Sequence, residues 1–464
     1  SELADTGGGW QPQVAGGGIG DPGVDSFICH RPSTRLSHPF CLSTLMPLIR
    51  LLAVCGLAAS AVLSAAEEAK WYKGNLHTHT YWSDGDDFPE MVADWYKSHG
   101  YDFLALSDHN IIADHDKWLK VHKSKTGAVA LDKYLQRFGK EWVIVRGEGE
   151  QKEVRLRTLT EMKPKLEEPG RFLLIPSEEI TDKNVHVNAT NIQELILPDK
   201  TLDTTTSPQI IKALQHAFDA VHAQRVRTGV PMFAHLNHPN FKWAITAEEL
   251  MQIDHEQFFE VYNGHPTVFN QGDELHASTE RVWDIVLAER LGHLGKPVMY
   301  GLATDDSHNY HSTVPKASLS GRGWVMVKAK QLDAASIVAA MEKGDFYAST
   351  GVELQSLQSG DGRLSLEVKA EAGVEYVVEF IGTRKGYDRK TVAVKAADGS
   401  EPRVTRKYGA DVGTVLATVK GPKAEYVLKG DELYVRARVT STRPMKSSPV
   451  GGEVEMAWTQ PLVR

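Results

Sequence analysis

Residues 71–85 read Trp-Tyr-Lys-Gly-Asn-Leu-His-Thr-His-Thr-Tyr-Trp-Ser-Asp-Gly. A strand-like run at 71–77 hands over to His77-Thr78-His79, and then to Ser83-Asp84-Gly85. Alternate side chains of a strand share a face, so the imidazoles of His77 and His79 lie on one side. In a parallel α/β fold the loops leaving the C-terminal strand ends build the active site. An extended run that ends in paired imidazoles and a carboxylate fits that position.

The same arrangement recurs outward along the chain. Strand candidates at 71–77, 103–107, 172–176, 185–191, 231–234, 258–262 and 297–303 alternate with helix candidates at 88–99, 210–227, 247–254 and 278–291. Alternation of this kind predicts a parallel sheet or barrel. The second strand runs into Ser107-Asp108-His109-Asn110 and the third into Ser177-Glu178-Glu179. The fourth carries His186, the fifth runs into His235-Leu236-Asn237-His238-Pro239, and the last into Asp305-Asp306-Ser307-His308. A lone Glu-Glu or a single strand histidine would be unremarked. Six strand ends in order, each offering His, Asp or Glu, predict one shared polynuclear metal site.

Composition narrows the class. The 464 residues carry 52 Lys+Arg and 60 Asp+Glu, a net charge of −8, which excludes nucleic-acid binding by bulk charge. No apolar run is long enough to span a bilayer. The three cysteines, Cys29, Cys41 and Cys55, all precede residue 56, so the body of the chain has no thiolate ligand. Residues 46–66 combine Met46, one basic residue, the 13-residue apolar run 51–63 and Ser-Ala-Ala, the pattern of a secretory signal peptide. Export to the periplasm or extracellular space is therefore expected, with a mature start near Glu67. Residues 1–45, with two Gly triplets and several Pro, read as a leader outside the fold. The metallohydrolase region is 67–352. Within it, 113–170 reads as an insertion over the barrel mouth, with helical stretches at 114–124, 131–138 and 161–168. After Val352 short β-branched runs separated by turns predict an all-β sandwich over 353–464.

His77-x-His79, Ser83-Asp84-Gly85, Ser107-Asp108-His109, Glu179, His186, His238-Pro239 and Asp306-x-His308 together resemble the polymerase and histidinol phosphatase (PHP) superfamily. The motifs at 237–240, 260–264, 305–308 and 344–351 are more similar to its exported carbaryl-hydrolase branch. The resemblance implies a distorted (β/α)7 barrel with two or three divalent cations, Mn, Zn or Fe, on N and O ligands. It implies one cation on His77, His79, Glu179 and Asp306, a second on Glu179, His186 and His238, and a third on Asp84, His109 and His308. Asp84 stands where many members carry a third histidine. Glu178, Asp305 and His235 are the rivals of Glu179, Asp306 and His238. Asp306, Glu179 and His308 are the residues it places closest to the chemistry.

Water between two such cations loses a proton near neutral pH, so the resemblance implies hydrolysis. Phosphomono- or diesters of small molecules are the expected substrates, with activated phosphotriesters as side substrates. Carbamate, ester or amide hydrolysis on the same site is the alternative within enzymes, and a non-catalytic envelope or glycan-binding protein is the alternative outside them. Lys242, Tyr262, Asn263, His265 and His311 follow the motifs and are candidates for substrate contact. Arg281, Arg290 and Arg322 have no placement from sequence.

Overall fold

The structure, a computed structural model, describes residues 68–464. Residues 1–45, read as a leader, and 46–66, read as a signal peptide, lie outside the described residues. Nine strands form the site-bearing part of one large mixed sheet: β1 (Lys70–Asn75), β2 (Phe103–Leu106), β3 (Leu173–Asp182), β4 (Val185–Thr190), β5 (Phe233–Leu236), β6 (Phe258–Asn263), β7 (Tyr300–Thr304), β8 (Trp324–Ala329) and β9 (Phe346–Ser349). Their order is β7-β6-β5-β4-β3-β2-β1-β8-β9. Strands β2, β5, β6 and β7 are buried at every residue, as expected of strands covered on both faces. Helices Ser207–Thr228 and Thr279–Glu289 pack their apolar sides on this sheet through Leu214, Phe218, Val282 and Trp283.

Three expectations are corrected. First, the barrel does not close. β7 pairs with β6 alone, and the far side of β1 is taken by β8, which runs antiparallel to it. The ends of β1 and β7 meet only beyond the strands, through the bridge Thr78↔Ser307 and the bonds Asp306 N–H to His77 O and His79 N–H to Ser307 O, both 3.0 Å. Second, the sheet is mixed: β4 is antiparallel to β3 and β5. Only Lys183 and Asn184 separate β3 from β4, too short a link for a parallel crossover. Third, 114–124 is not helical. Lys117–Lys120 pairs with Glu153–Leu156 and is followed by a single 3-10 turn, Val121–Lys123. Helices Gly127–Phe138 and Leu159–Leu166 complete that insertion. It packs beside the Asp84 loop: Tyr81 Oη meets Ser124 and Thr126, and the Trp82 indole N–H donates to Arg157 O.

Apart from a short hairpin-like pair, Thr391–Val392 with Lys407–Tyr408, the C-terminal strands are β10 (Leu354–Gly360), β11 (Arg363–Val368), β12 (Tyr376–Arg384), β13 (Thr414–Lys420), β14 (Lys423–Val427), β15 (Glu432–Pro444), β16 (Val454–Thr459) and β17 (Leu462–Val463). The expected sandwich does not stand apart from the barrel sheet. β16 pairs with β9, so the main sheet runs on through β16, β15, β12 and β13. The separate sheet β10-β11-β14 shares one apolar core with it, including Leu364, Val378, Phe380, Val435 and Val439. No helix among the described residues is long and apolar enough to cross a membrane.

Candidate metal centre

His77 and His79 follow β1 and turn inward, while Thr78 between them turns out and donates to Ala105 O. Glu179 faces the same two imidazoles from β3. Because β4 is antiparallel, its start lies at the end of β3, so His186 arrives there too, with Thr181↔His186 in register. Asp306 follows β7 with φ +50°, a left-handed conformation that is costly for a non-glycine residue. Its main chain is held by His77 O and by the Ser318 hydroxyl.

The donor atoms converge. His77 Nε2 lies 3.1 Å from His79 Nε2, 3.4 Å from Glu179 Oε2 and 3.3 Å from Asp306 Oδ1. His79 Nε2 is 3.3 Å from both carboxylates. His109 Nδ1 and His186 Nδ1 each lie 2.8 Å from a Glu179 oxygen, and His238 Nε2 lies 3.6 Å from Glu179 Oε1. Asp84 gathers His79, His109 and His308 at 3.7, 3.6 and 3.4 Å. Five groups able to hold a cation result: His77/His79/Asp306, His77/Glu179/His238, His109/Glu179/His186, His79/Asp84/His109/His308 and, beneath them, His77/His235/Glu260. All nine predicted ligands fall in these groups, and Glu179 belongs to two of them.

The donor set fits cations. His77 Nδ1 is 2.7 Å from Glu260 Oε1. Donation there leaves Nε2 as a bare lone pair. That lone pair faces carboxylate oxygens and a second imidazole, all acceptors unless a proton or a metal lies between them. Glu179 Oε2 is buried and has no hydrogen-bond partner, although three histidine nitrogens lie within 3.4 Å. A buried carboxylate oxygen is rarely left so.

Electrostatics agree. Burial alone would raise Glu179, but His109, His77 and His186 hold it well below the usual carboxylate range. Asp306 is also well below, burial being overcome by His77 and His79. For His77, burial acts downward, but Asp306, Glu260 and Glu179 raise it well above an ordinary imidazole. Burial also opposes the rise of His109 to about 9, driven by Glu179. His79 falls to about 3, from burial and then His308.

A second layer holds these ligands. Glu260 bonds His77 through one oxygen, which also accepts from Thr304 Oγ1 at 2.7 Å; its other oxygen accepts from His238 N–H at 2.7 Å and Asn263 Nδ2 at 2.8 Å. Asn237 Nδ2 donates to Glu179 Oε1 at 2.8 Å. Sequence reading gave neither residue a role. A signal existed for Glu260, an acidic residue inside the otherwise apolar strand Phe-Phe-Glu-Val-Tyr.

Of the rivals, Glu178 turns to the opposite face of β3, where it accepts from Ile196 N–H and burial pushes it up to about 8. Asp305 accepts from the backbone N–H groups of Gly321, Arg322 and Gly323. His235 lies beneath the cluster, 3.5 Å from Glu260.

The substrate candidates divide. Asn263 belongs to the second layer, donating also to Asp306 Oδ2 at 3.1 Å. His265 stands beside His308, its ring 5.5 Å from that of His308. Lys242 is exposed, its ammonium 4.9 Å from the centre of the Phe241 ring. Tyr262 is a correction: its hydroxyl meets Met445 Sδ and its ring faces Trp458, away from the cluster. The ladder to β7 steps from Glu260 to Tyr262, leaving Val261 bulged, and the bulge re-aims the side chains that follow. His311 also lies off the cluster, 3.2 Å from Asp87 and 2.9 Å from Lys133 Nζ. Arg281, Arg290 and Arg322 spend their guanidinium groups on backbone carbonyls, for example Val412, Ile253 and Gly264.

No protein-family profile and no curated protein matches this chain. Among solved structures, it is similar to a two-domain protein from Bacteroides vulgatus containing a predicted PHP-like metal-dependent phosphoesterase. That match has 14% identity and a TM-score of 0.36, and covers 85% of this chain and 96% of the other. PsfC from Pseudomonas syringae gives 11% identity over 59% of this chain and 88% of the other, TM-score 0.28. A candidate metal-dependent phosphoesterase from Bifidobacterium adolescentis gives 12% over 53% and 91%, TM-score 0.26. At these scores none of the three decides the chemistry, which rests on the ligand geometry.

Proposed function

We propose that the chain is a metal-dependent hydrolase of the PHP superfamily, acting on phosphoesters. The observation that carries this reading is Glu179: one buried carboxylate reached by His77, His79, His109, His186 and His238, with an oxygen that no protein donor satisfies. His77, His79, Glu179 and Asp306 would hold one cation, Glu179, His186 and His238 a second, and Asp84, His109 and His308 a third. Bound there, divalent cations supply hydroxide at neutral pH and neutralise charge on phosphoryl oxygens.

The chain's own part is orientation. Glu260 fixes the tautomer of His77, and Asn237 aims Glu179. The buried floor of the site admits no bulk water, since His77, His79 and Glu179 are fully buried. Only Asp84, with 57% of its side chain exposed, reaches far into solvent, so substrate enters on that side. Phosphoesters are favoured over neutral carbamates or carboxylic esters because a phosphoryl group can engage several cations through its oxygens. The signal-like segment at 46–66 supports an exported protein.

Elemental analysis of the metal-loaded protein, joined to a panel of aryl phosphate mono-, di- and triesters, carboxylic esters and carbamates, tests the reading. Phosphodiester turnover should exceed ester and carbamate turnover on matched leaving groups. Carbamate or ester turnover faster by about tenfold, ~1.4 kcal/mol in barrier, would reverse the substrate assignment and leave the metal site standing.

A further inference from the structure

His265 stands beside the cluster, its ring 5.5 Å from that of His308, and belongs to none of the five ligand groups. Its backbone N–H donates to Asn263 Oδ1 at 2.8 Å, and Asn263 in turn donates to Asp306, so the residue is tied to the cluster through a single side chain. The ring's Nδ1 faces Thr267, accepting from its backbone N–H at 3.3 Å with the hydroxyl at 2.8 Å. A backbone N–H can only donate, so Nδ1 carries the lone pair and the ring proton sits on Nε2. Nε2 makes no hydrogen bond to the described residues. A neutral imidazole thus offers a fixed N–H donor beside His308, the partner of the exposed Asp84.

Position gives that donor its role. Phosphoryl transfer displaces the leaving oxygen roughly opposite the attacking one. The closed side of the site is filled by His77, His79 and Glu179, all fully buried. The leaving group must therefore depart away from that floor, toward exposed Asp84 and its partner His308, beside which His265 stands. Phe241 lies next to it at 6.3 Å between ring centres and also packs on His238 at 5.1 Å, an apolar wall for the carbon side of an ester. The turn that presents Phe241 is unusual: Lys242 and Trp243, neither of them glycine, adopt φ +51° and +56°. Trp243 stacks on His276 at 3.9 Å, which holds that conformation. Strain kept at such a place is a mark of a functional rim.

We infer that His265 is a catalytic residue that donates its Nε2–H hydrogen bond to the leaving-group oxygen of the ester, beside an apolar wall formed by Phe241. This rests on the hydrolase reading above. In the step, hydroxide oxygen forms the new bond to phosphorus and the bond to the alcohol oxygen breaks, its electron pair staying on that oxygen. His265 stabilises the developing charge and remains neutral. The proton given up when water became hydroxide returns to the departing oxygen, so one water is consumed and one alcohol released.

The test is a leaving-group series, methyl phenyl phosphate against methyl p-nitrophenyl phosphate, on metal-loaded wild type, His265→Ala and His265→Gln. The same pair of aryl groups is used as carbamates if those turn over faster. A good leaving group needs little help, so His265→Ala should cost about 100-fold or more in kcat/KM on the phenyl ester and about tenfold or less on the p-nitrophenyl ester. His265→Gln, which keeps an N–H, should recover part of the phenyl loss. Metal content and thermal midpoint should stay at wild-type values. Equal losses on both esters, or loss of a metal ion, would overturn the assignment while leaving the hydrolase reading intact. A wild-type protein that loads metal but hydrolyses no aryl ester would overturn the hydrolase reading itself.

Discussion

Two buried clusters of charge in this molecule look alike and are not. One joins helix Thr279–Glu289 to β15. There Arg436, fully buried, donates to both oxygens of Asp284 at 2.9 and 2.8 Å and to Glu280 at 3.2 Å. Tyr434 caps Asp284 at 2.8 Å, and Arg438 ties Glu280 to Glu379. Every carboxylate there meets a permanent cation. The other cluster holds Glu179, Asp306, Asp84 and Glu260 against histidines and neutral amide, hydroxyl and backbone donors, with no Lys or Arg among the described residues paired to them and one carboxylate oxygen unsatisfied. A cluster that balances itself is cement between two parts of the fold. One that does not balance itself calls for cations from outside.

Variants should separate the two in kind. The largest effect belongs to the unbalanced cluster and is on turnover: His77→Ala and Asp306→Asn should each lower kcat by about 10³-fold or more, ~4 kcal/mol, because they disturb the groups that hold the nucleophile. Stopped assays at saturating metal check this, and a residual rate above about a tenth would break the contrast. The next effect belongs to the balanced cluster and is on stability. Arg436→Ala strands Asp284 in the interior and should cost about 3–5 kcal/mol in denaturant unfolding, with the metal content of the folded fraction unchanged.

Smaller effects sharpen the same line. Glu260→Gln should weaken metal affinity about 10–100-fold, read by competition with a chelating dye, since it loosens His77 without removing a ligand. The smallest is a pH effect in metal-free protein. His77, His109 and His308 are raised above the unfolded value of about 6.5. Groups raised in this way stabilise most below that value, and the contribution of His109 fades as pH climbs through about 9. Metal-free protein should therefore lose thermal stability between pH 6.5 and 9, and metal-loaded protein should not, because ligation keeps the imidazoles deprotonated at both ends.

The unbalanced cluster was largely legible in the sequence because its ligands sit at strand ends. A period of two and a handful of local motifs mark six strand ends that offer His, Asp or Glu, and the resemblance to the PHP superfamily implied which of those residues are ligands. Glu260 was not legible as a partner, since its contact with His77 spans 183 positions and leaves no local spacing. Tyr262 was misplaced because residues that follow a strand end were read as facing the site, whereas a bulge at Val261 turns its side chain away. The continuous sheet through β9 and β16 could not be read either, because edge pairing between distant strands depends on which edge is left free. Here β8 takes the edge of β1 that a closed barrel would have given to β7.

Metal stoichiometry tests the central claim most directly. Wild-type protein purified without chelator, loaded with Mn²⁺ or Zn²⁺ and desalted, should carry at least two divalent ions per chain by elemental analysis. Glu179→Ala, which removes the carboxylate shared by two of the ligand groups, should carry at least one fewer. Fewer than one tightly held ion in the wild type, together with a hydrolytic activity that chelators leave untouched, would contradict the account.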